Sequence, residues 1–386
     1  MSHASLKTGC KLVVALGMVL WLWLPLRSAG QNPALTNRQT FDPAPEWRPT
    51  HAPANARYAG NAACAECHDE VLTQPATPMG KALVPAAESR ILRQHPHLSF
   101  KEGPYTYSIT RRGDQSFYSV TDGKESISLP IPYGFGQGKV GQTYVLEYQG
   151  KYYESRVSFY RALGGLDFTL GASKAIPGSL EAALGRLLDK ASVNDCFSCH
   201  ATRPVAQGQL ELSLMTPGIT CEGCHGPGER HIAAMRTPGA AQRDRQIFNP
   251  GLFDTEGMTQ FCGACHRSWI QVQMLGIRGV ENVRFQPYRL FNSKCYDHRD
   301  KRISCLACHN PHEELETEAG FYDQKCTACH QTGRKAPITA KSPPACPKAG
   351  RNCAACHMPK VELPGAHHQF TDHQIRVVRK NAPYPN

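Results

Sequence analysis

Residues Cys221–His231 read CEGCHGPGERH. The first five residues set two thiols three positions apart, with an imidazole directly after the second. This arrangement fixes a haem. The thiols add to the two vinyl groups as thioethers, and the adjacent His is held under the iron. The last residue, His231, is a second imidazole six positions after His225. Whether it serves the same iron, another iron or none decides how closely neighbouring sites are tied.

The pattern C-x-x-C-H recurs seven times: Cys64/Cys67/His68, Cys196/Cys199/His200, Cys221/Cys224/His225, Cys262/Cys265/His266, Cys305/Cys308/His309, Cys326/Cys329/His330 and Cys353/Cys356/His357. Zinc sites also use paired cysteines, but they need no His after every second Cys. Disulfide-exchange motifs do not need it either. The spacing therefore predicts seven covalently bound haem c groups, each iron held by the His of its motif. Seventeen cysteines in an exported chain would ordinarily mean disulfides, but fourteen are alkylated in this reading. Of the others, Cys10 precedes an apolar run and is no lipoprotein cysteine. Cys295 and Cys346 either form a disulfide or remain free or buried thiols.

Hydrophobic content is 41%, while Gly (33) and Pro (29) are abundant in the 386 residues. Six motifs fall between Cys196 and His357, about 27 residues per haem, too little for a conventional core. The expected fold is a multihaem cytochrome c: short α-helices and loops wrapped on a haem core, with a small β-rich insert. The formal charge is +11, but basic residues are scattered and no nucleic-acid motif is present. The two propionates of each haem offer an internal use for the positive excess.

Along the chain, 1–30 reads as a signal peptide. Lys7 and Lys11 form its basic start, Leu12–Leu26 its apolar run, and Ser28 and Gly30 its cleavage region. An uncleaved anchor is the alternative. No membrane span is expected in the mature chain, which the signal directs to the periplasm or the exterior. Residues 31–57 read as a linker or extended arm, 58–98 as a first haem segment, 99–177 as a β-rich insert and 178–386 as a six-haem domain. The insert carries hairpin signals: YTYSI broken by RRGD, FYSV followed by TDG, and TYVLEYQGKYYESRVSFY around a central QG. GQGKVG (Gly136–Gly141) matches a dinucleotide fingerprint only formally, because strand-like QTYVLEY follows it instead of a helix. SLEAALGRLLDK (Ser179–Lys190) predicts a helix capped by Ser179, with Leu180, Leu184, Leu187 and Leu188 on one face.

Electron-transfer haems take a second axial ligand, usually His or Met. The candidates are His51, His95, His97, His231, His298, His312, His367, His368 and His373. His312 lies three residues after His309. Two intervening residues cannot round a porphyrin edge at about 3.5 Å per residue, so His312 can bind only a neighbouring haem. The same holds less strictly for His231. Of His367 and His368, one is expected as ligand and one as bystander. For each, a surface or propionate-bonding role is the alternative.

The strings CEGCHGPGERH, QFCGACHRSW, RFQPYRLFNSKC, CLACHNPHEE, CAACHMPK and FTDHQIRV together resemble the cytochrome c-554-like group. That group is related to pentahaem nitrite reductase, octahaem tetrathionate reductase and hydroxylamine oxidoreductase. The resemblance covers roughly residues 58–98 and 190–380 and leaves out the β-rich insert. It implies stacked and perpendicular haem pairs, mostly with two His ligands, with His231 and His312 serving nearby haems. Related chains often carry a distal His about a dozen residues after the first motif. Here TPMGKA places Met79 near that position, so His/Met ligation is one reading and a core methionine the other. Related nitrite reductases often use C-x-x-C-K at the catalytic haem. All seven motifs here end in His, so the resemblance carries over no catalytic residue.

Two functions follow. One is an electron carrier with redox proteins or quinol-oxidising complexes as donors and acceptors. The other is a reductase or oxidase of a small nitrogen or sulfur species at one open haem, with Arg267, Arg284, Tyr288 and Arg289 as nearby polar groups. The aromatics Tyr144, Tyr148, Tyr152, Tyr153, Phe159 and Tyr160 fit strand packing better than a partner or polysaccharide surface.

Overall fold

The computed structural model describes residues 57–239, 246–330, 351–379 and 381–385. The expected signal segment, the arm up to residue 56, His51, Cys10 and Cys346 lie outside these residues.

Eleven strands build the β-part: β1 (Leu83–Pro85), β2 (His97–Glu102), β3 (Tyr105–Arg112), β4 (Gln115–Thr121), β5 (Ser126–Pro130), β6 (Tyr133–Phe135), β7 (Gly141–Tyr148), β8 (Lys151–Ser155), β9 (Val157–Tyr160), β10 (Gly165–Phe168) and β11 (Gly185–Leu188). One sheet runs β2-β3-β4-β5. The other runs β1-β6-β7-β8-β11, with β9 on β7 and β10 on β9, and all pairings are antiparallel. The hairpin at QG is tight. Gln149 and Gly150 have φ of 51° and 74° between paired Tyr148 and Lys151, the geometry of a two-residue turn matched to strand twist. GQGKVG is a loop leading into β7.

Strand alternation sorts the side chains. Tyr105, Tyr107 and Ile109 of β3 and Tyr118 and Val120 of β4 face Tyr144 and Leu146 of β7 across one apolar core. Full burial of each such side chain contributes roughly 1.5–3 kcal/mol. Val145, between Tyr144 and Leu146, points to the other face of its sheet. There it joins Leu83, Phe135 and Leu188. Tyr153, Phe159 and Tyr160 are buried, and Tyr148 and Tyr152 pack against these clusters. The aromatics therefore build the core.

The helices are α1 (Asn61–Cys64), α2 (Arg90–Gln94), α3 (Leu180–Leu184), α4 (Lys190–His200), α5 (Cys221–His225), α6 (Glu229–Arg236), α7 (Thr255–His266), α8 (Trp269–Leu275), α9 (Gln286–Phe291), α10 (Cys305–Cys308), α11 (Ala319–His330) and α12 (Cys353–His357). Every C-x-x-C-H motif begins on one of them. Val193 and Phe197 of α4 pack on the second face of the large sheet, so the second motif is held directly against the β-part. Short pairings β12 (Ala201–Thr202) with β15 (Thr216–Pro217), β13 (Val205–Ala206) with β14 (Gln209–Leu210), and β16 (Lys360–Glu362) with β17 (Gln369–Thr371) join the motif segments.

Two expectations are corrected. The strands extend beyond 99–177 on both sides, because β1 pairs with β6 and β11 with β8. The expected helix over 179–190 stops at Leu184. Ser179 does cap it, accepting from the Ala182 N–H, but the chain then becomes β11. Leu187 is exposed and Leu188 buried, the period of a strand. Gly185 makes the change, with φ 146°, a region closed to side chains. A Cβ there would lie 1.9 Å from the Glu154 carbonyl oxygen. Gly185→Ala is therefore expected to cost roughly 2–4 kcal/mol. A denaturation midpoint equal to wild type would refute this.

Candidate haem sites

The histidines of several motifs are set up as metal ligands by their backbone neighbours. His200 Nδ1 donates to the Ala82 carbonyl at 2.8 Å, His225 Nδ1 to Phe248 at 3.0 Å and His357 Nδ1 to Arg376 at 2.8 Å. A carbonyl can only accept, so the proton is on Nδ1 and Nε2 keeps its lone pair. This is the usual outer-shell arrangement of ligating histidines. In two cases the bond is reciprocal: Phe248 N–H donates to the His225 carbonyl and Arg376 N–H to that of His357. Burial pushes the imidazole pKa of His200, His225, His266 and His309 down, keeping the rings neutral. His309 Nδ1 is buried without a partner.

The motif cysteines divide into two groups. Cys64, Cys196, Cys199, Cys221, Cys224, Cys262, Cys305, Cys308, Cys326 and Cys353 are half-buried. Cys67, Cys265, Cys329 and Cys356 are exposed. All four are the second cysteine of their motif. Cys67 follows the end of α1, and Cys265, Cys329 and Cys356 stand in the last turn of α7, α11 and α12. A thioether needs its sulfur to reach a vinyl carbon at the porphyrin edge and does not need peptide around it. Exposure is therefore compatible with attachment at these four positions, and their place in C-x-x-C-H, not burial, is what marks them.

Three of the seven motif histidines face a second imidazole. His68 stands opposite His231 with ring centres 6.4 Å apart. His225 stands opposite His312 at 6.1 Å, with the rings within 11° of parallel. His309 stands opposite His373 at 6.2 Å. Two imidazoles bound through nitrogen to one metal from opposite sides, at about 2 Å each, have centres about 6 Å apart. The donor set thus fits a haem iron at each pair. His373 is half-buried; desolvation pushes its pKa down to about 4, and its Nδ1 donates to the Thr371 carbonyl at 3.0 Å.

Among the described residues, His200, His266, His330 and His357 do not stand in ring contact with a second imidazole. The other candidates are placed as follows. His298 is exposed, and its Nε2 accepts from Arg299 Nε at 3.0 Å. His367 Nε2 lies 2.7 Å from Asp167 Oδ2, with its ring edge-on to Tyr160. His368 packs on Phe370 and His95 on Phe159. His97 opens β2, paired with Thr110. The Met79 carbonyl accepts from Ala82 and Ile219, and His231 holds the place opposite His68. Arg289 and Tyr288 are fully buried. Arg289 is spent on Asp372, Asn282 and the Pro385 carbonyl, so it cannot meet a substrate. Arg267 follows His266 at φ 66°, and Arg284 keeps a buried Nε without partner.

The motifs touch one another. The first thiols of the first and third motifs, Cys64 and Cys221, are in contact, as are Cys262 with Cys305 and Cys326 with Cys353. Cys199 Sγ lies 3.9 Å from the Ala264 carbonyl, inside the fourth motif. With the three histidine pairs, these contacts link all seven motifs through the fifth. Among the described residues no group of three or more His, Cys, Asp or Glu is arranged as an ion site.

Sequence reasoning passed over three carboxylates. Glu222 caps the first motif's segment, Asp323 caps α12, and Asp372 anchors the strap that carries His373. Nothing in their spacing marks them.

The motifs and the opposed histidines define a class: a multihaem c-type cytochrome carrying covalently bound haem c. Known proteins support the same class. A family model described as cytochrome c554 and c-prime matches residues 178–226, across the second and third motifs. A 202-residue stretch is 22% identical to the multihaem cytochrome MtrA of Shewanella baltica (strain OS185), covering 48% of this chain and 53% of that protein. The chain thus spans about half the length of the curated relative it matches. No solved structure matches. No helix among the described residues is long and apolar enough to cross a membrane.

Proposed function

We propose that the chain is a seven-haem cytochrome of the c-554-like group that passes electrons between redox partners outside the cytoplasm. Its peptide wraps a haem core in the six-haem segment. The observation that carries this reading is the set of three opposed imidazole pairs, each joining two motifs. His231 belongs to the third motif's segment but faces the first. His312 follows the fifth but faces the third, and His373 follows the seventh but faces the fifth. Each pair sets one haem beside the motif of another. A bound haem iron supplies one-electron chemistry. An iron held by both imidazoles of such a pair would have no place for substrate. The apolar run Leu12–Leu26 supports export to the periplasm or beyond, where redox proteins or quinol-oxidising complexes would give and take the electrons.

The second reading, an enzyme with one open haem, has a specific observation behind it. His266 faces no second imidazole among the described residues, Arg267 follows it in the chain, and Arg284 feels the charge of Arg267. Optical and electron-resonance spectra with and without carbon monoxide separate the two. A carrier is expected to show low-spin haems that ignore carbon monoxide. A high-spin haem that binds it overturns the pure carrier reading.

A further inference from the structure

We propose that Glu222, between the two cysteines of the third motif, is a positioning residue that holds His231 against the haem of the first motif. The inference rests on the axial reading above and adds the group that enforces it.

Glu222 is 3% exposed. A buried carboxylate is costly unless its oxygens are satisfied, and here three backbone donors satisfy them. Oε1 accepts from Ala59 N–H at 2.7 Å and from Gly228 N–H at 2.8 Å, and Oε2 accepts from Gly60 N–H at 2.8 Å. These donors come from two separate segments. Ala59 and Gly60 lead into α1, which carries Cys64. Gly228 is the N-cap of α6, and His231 is the third residue of that helix. Neither helix has a side-chain cap of its own. Charge-assisted bonds of this kind are about twice as strong as neutral ones. One side chain therefore fixes the start of the proximal segment and the take-off of the distal helix. Nearby contacts run the same way: Glu229 N–H donates to the Arg57 carbonyl at 3.3 Å, and Arg236 pairs with Glu66 at 2.6 Å.

The device recurs independently. Asp323 lies on α11, three residues before Cys326, and accepts from Asn352 N–H at 2.8 Å and Cys353 N–H at 2.7 Å. Asn352 is the N-cap of α12, which also lacks a side-chain cap. In both places a carboxylate beside one motif caps the helix of the motif whose first cysteine touches its own: Cys64 with Cys221, and Cys326 with Cys353.

The test compares Glu222→Ala, Glu222→Gln and His231→Ala with wild type, all as holo-proteins whose intact mass shows every haem attached. Carbon monoxide binding and the low-spin resonance signal are read per haem. His231→Ala is expected to gain one carbon monoxide-binding haem. Glu222→Ala should gain the same one. Glu222→Gln, nearly equal in size, should open it in part, because its amide N–H faces the Gly60 N–H. Asp323→Ala should leave this haem closed. If His231→Ala opens the haem while both Glu222 variants stay wholly low-spin and inert to carbon monoxide, the inference is overturned and the axial reading stands. If His231→Ala opens nothing, the axial reading falls and the inference with it.

Discussion

Arg289→Met is expected to lower stability by about 3–5 kcal/mol, the usual cost of breaking a buried ion pair by removing one partner. Arg289 and Asp372 are both 0% exposed. The guanidinium meets the carboxylate twice, at 2.8 and 2.9 Å, and also donates to Asn282 Oδ1 at 3.0 Å and to the Pro385 carbonyl at 2.8 Å. The variant leaves Asp372 buried with the Gln374 N–H and Arg376 as its remaining donors. The melting temperature should fall by roughly 4–6 °C. The loss should also be visible at a haem. Asp372 directly precedes His373, and Ser293 holds the chain just after that histidine's side chain, donating to the His373 carbonyl and accepting from Ile375 N–H. Freed from Arg289, the strap should let His373 leave its place opposite His309, opening the haem of the fifth motif. Calorimetry and carbon monoxide titration check the two parts. An unchanged melting temperature with an unchanged spectrum would show that the pair holds nothing.

The same pair sets the sign of an acid effect. Burial alone would raise the Asp372 pKa, but the bonds from Arg289, Gln374 N–H and Arg376 bring it below the ordinary carboxylate value. A depressed folded-state pKa gives stability that is present above the unfolded value, about 3.9. It is lost as the pH falls through that value and on through the folded one. Asp372→Asn should remove this part of the acid dependence while destabilising the protein at neutral pH.

The parts of the fold visible in the sequence were those set by local chemistry. C-x-x-C-H is a covalent requirement, so its seven copies are legible without any fold. How far each cysteine is covered is not local, and Cys67, Cys265, Cys329 and Cys356 lie open where the spacing alone treats all fourteen alike. The hairpins were legible because QG and TDG supply the turn conformations their strands need. The leucines after Ser179 misled because Leu180, Leu184, Leu187 and Leu188 fit a helical period as well as any real helix. What broke it was the approach of Gly185 to the Glu154 carbonyl, a contact between residues 31 apart that no local window contains. The axial ligands show the same divide. Chain length alone keeps His312 from its own haem. That it faces His225 is a tertiary fact, as is the separation of His367, drawn to Asp167, from His368.

Replacing all fourteen motif cysteines by serine should leave a chain that is folded in one part and open in the other. The two large apolar clusters draw their buried residues from Leu83 to Ala201. The sheets therefore have a core that owes nothing to a cofactor. The motif helices do not: α1, α10, α11 and α12 bury no side chain, and α5 buries only Glu222. Helices of four or five residues, and even the twelve of α11, are marginal alone, and covalent haem would supply the apolar surface they lack. Limited proteolysis of the serine variant should yield a resistant fragment close to residues 83–201, with the remainder cut. Circular dichroism should keep its strand signal and lose most of its helix. The weak points of the expectation are α7, which buries Met258 and Ala264, and the small cluster of Val283, Leu363 and Ala366. If these sufficed, the region after Ala201 would resist protease without haem, and the haem-core reading of that half would be wrong. Uniform digestion of the whole chain would instead mean that the sheets lean on the second motif's haem through α4, where Val193 and Phe197 join them to it.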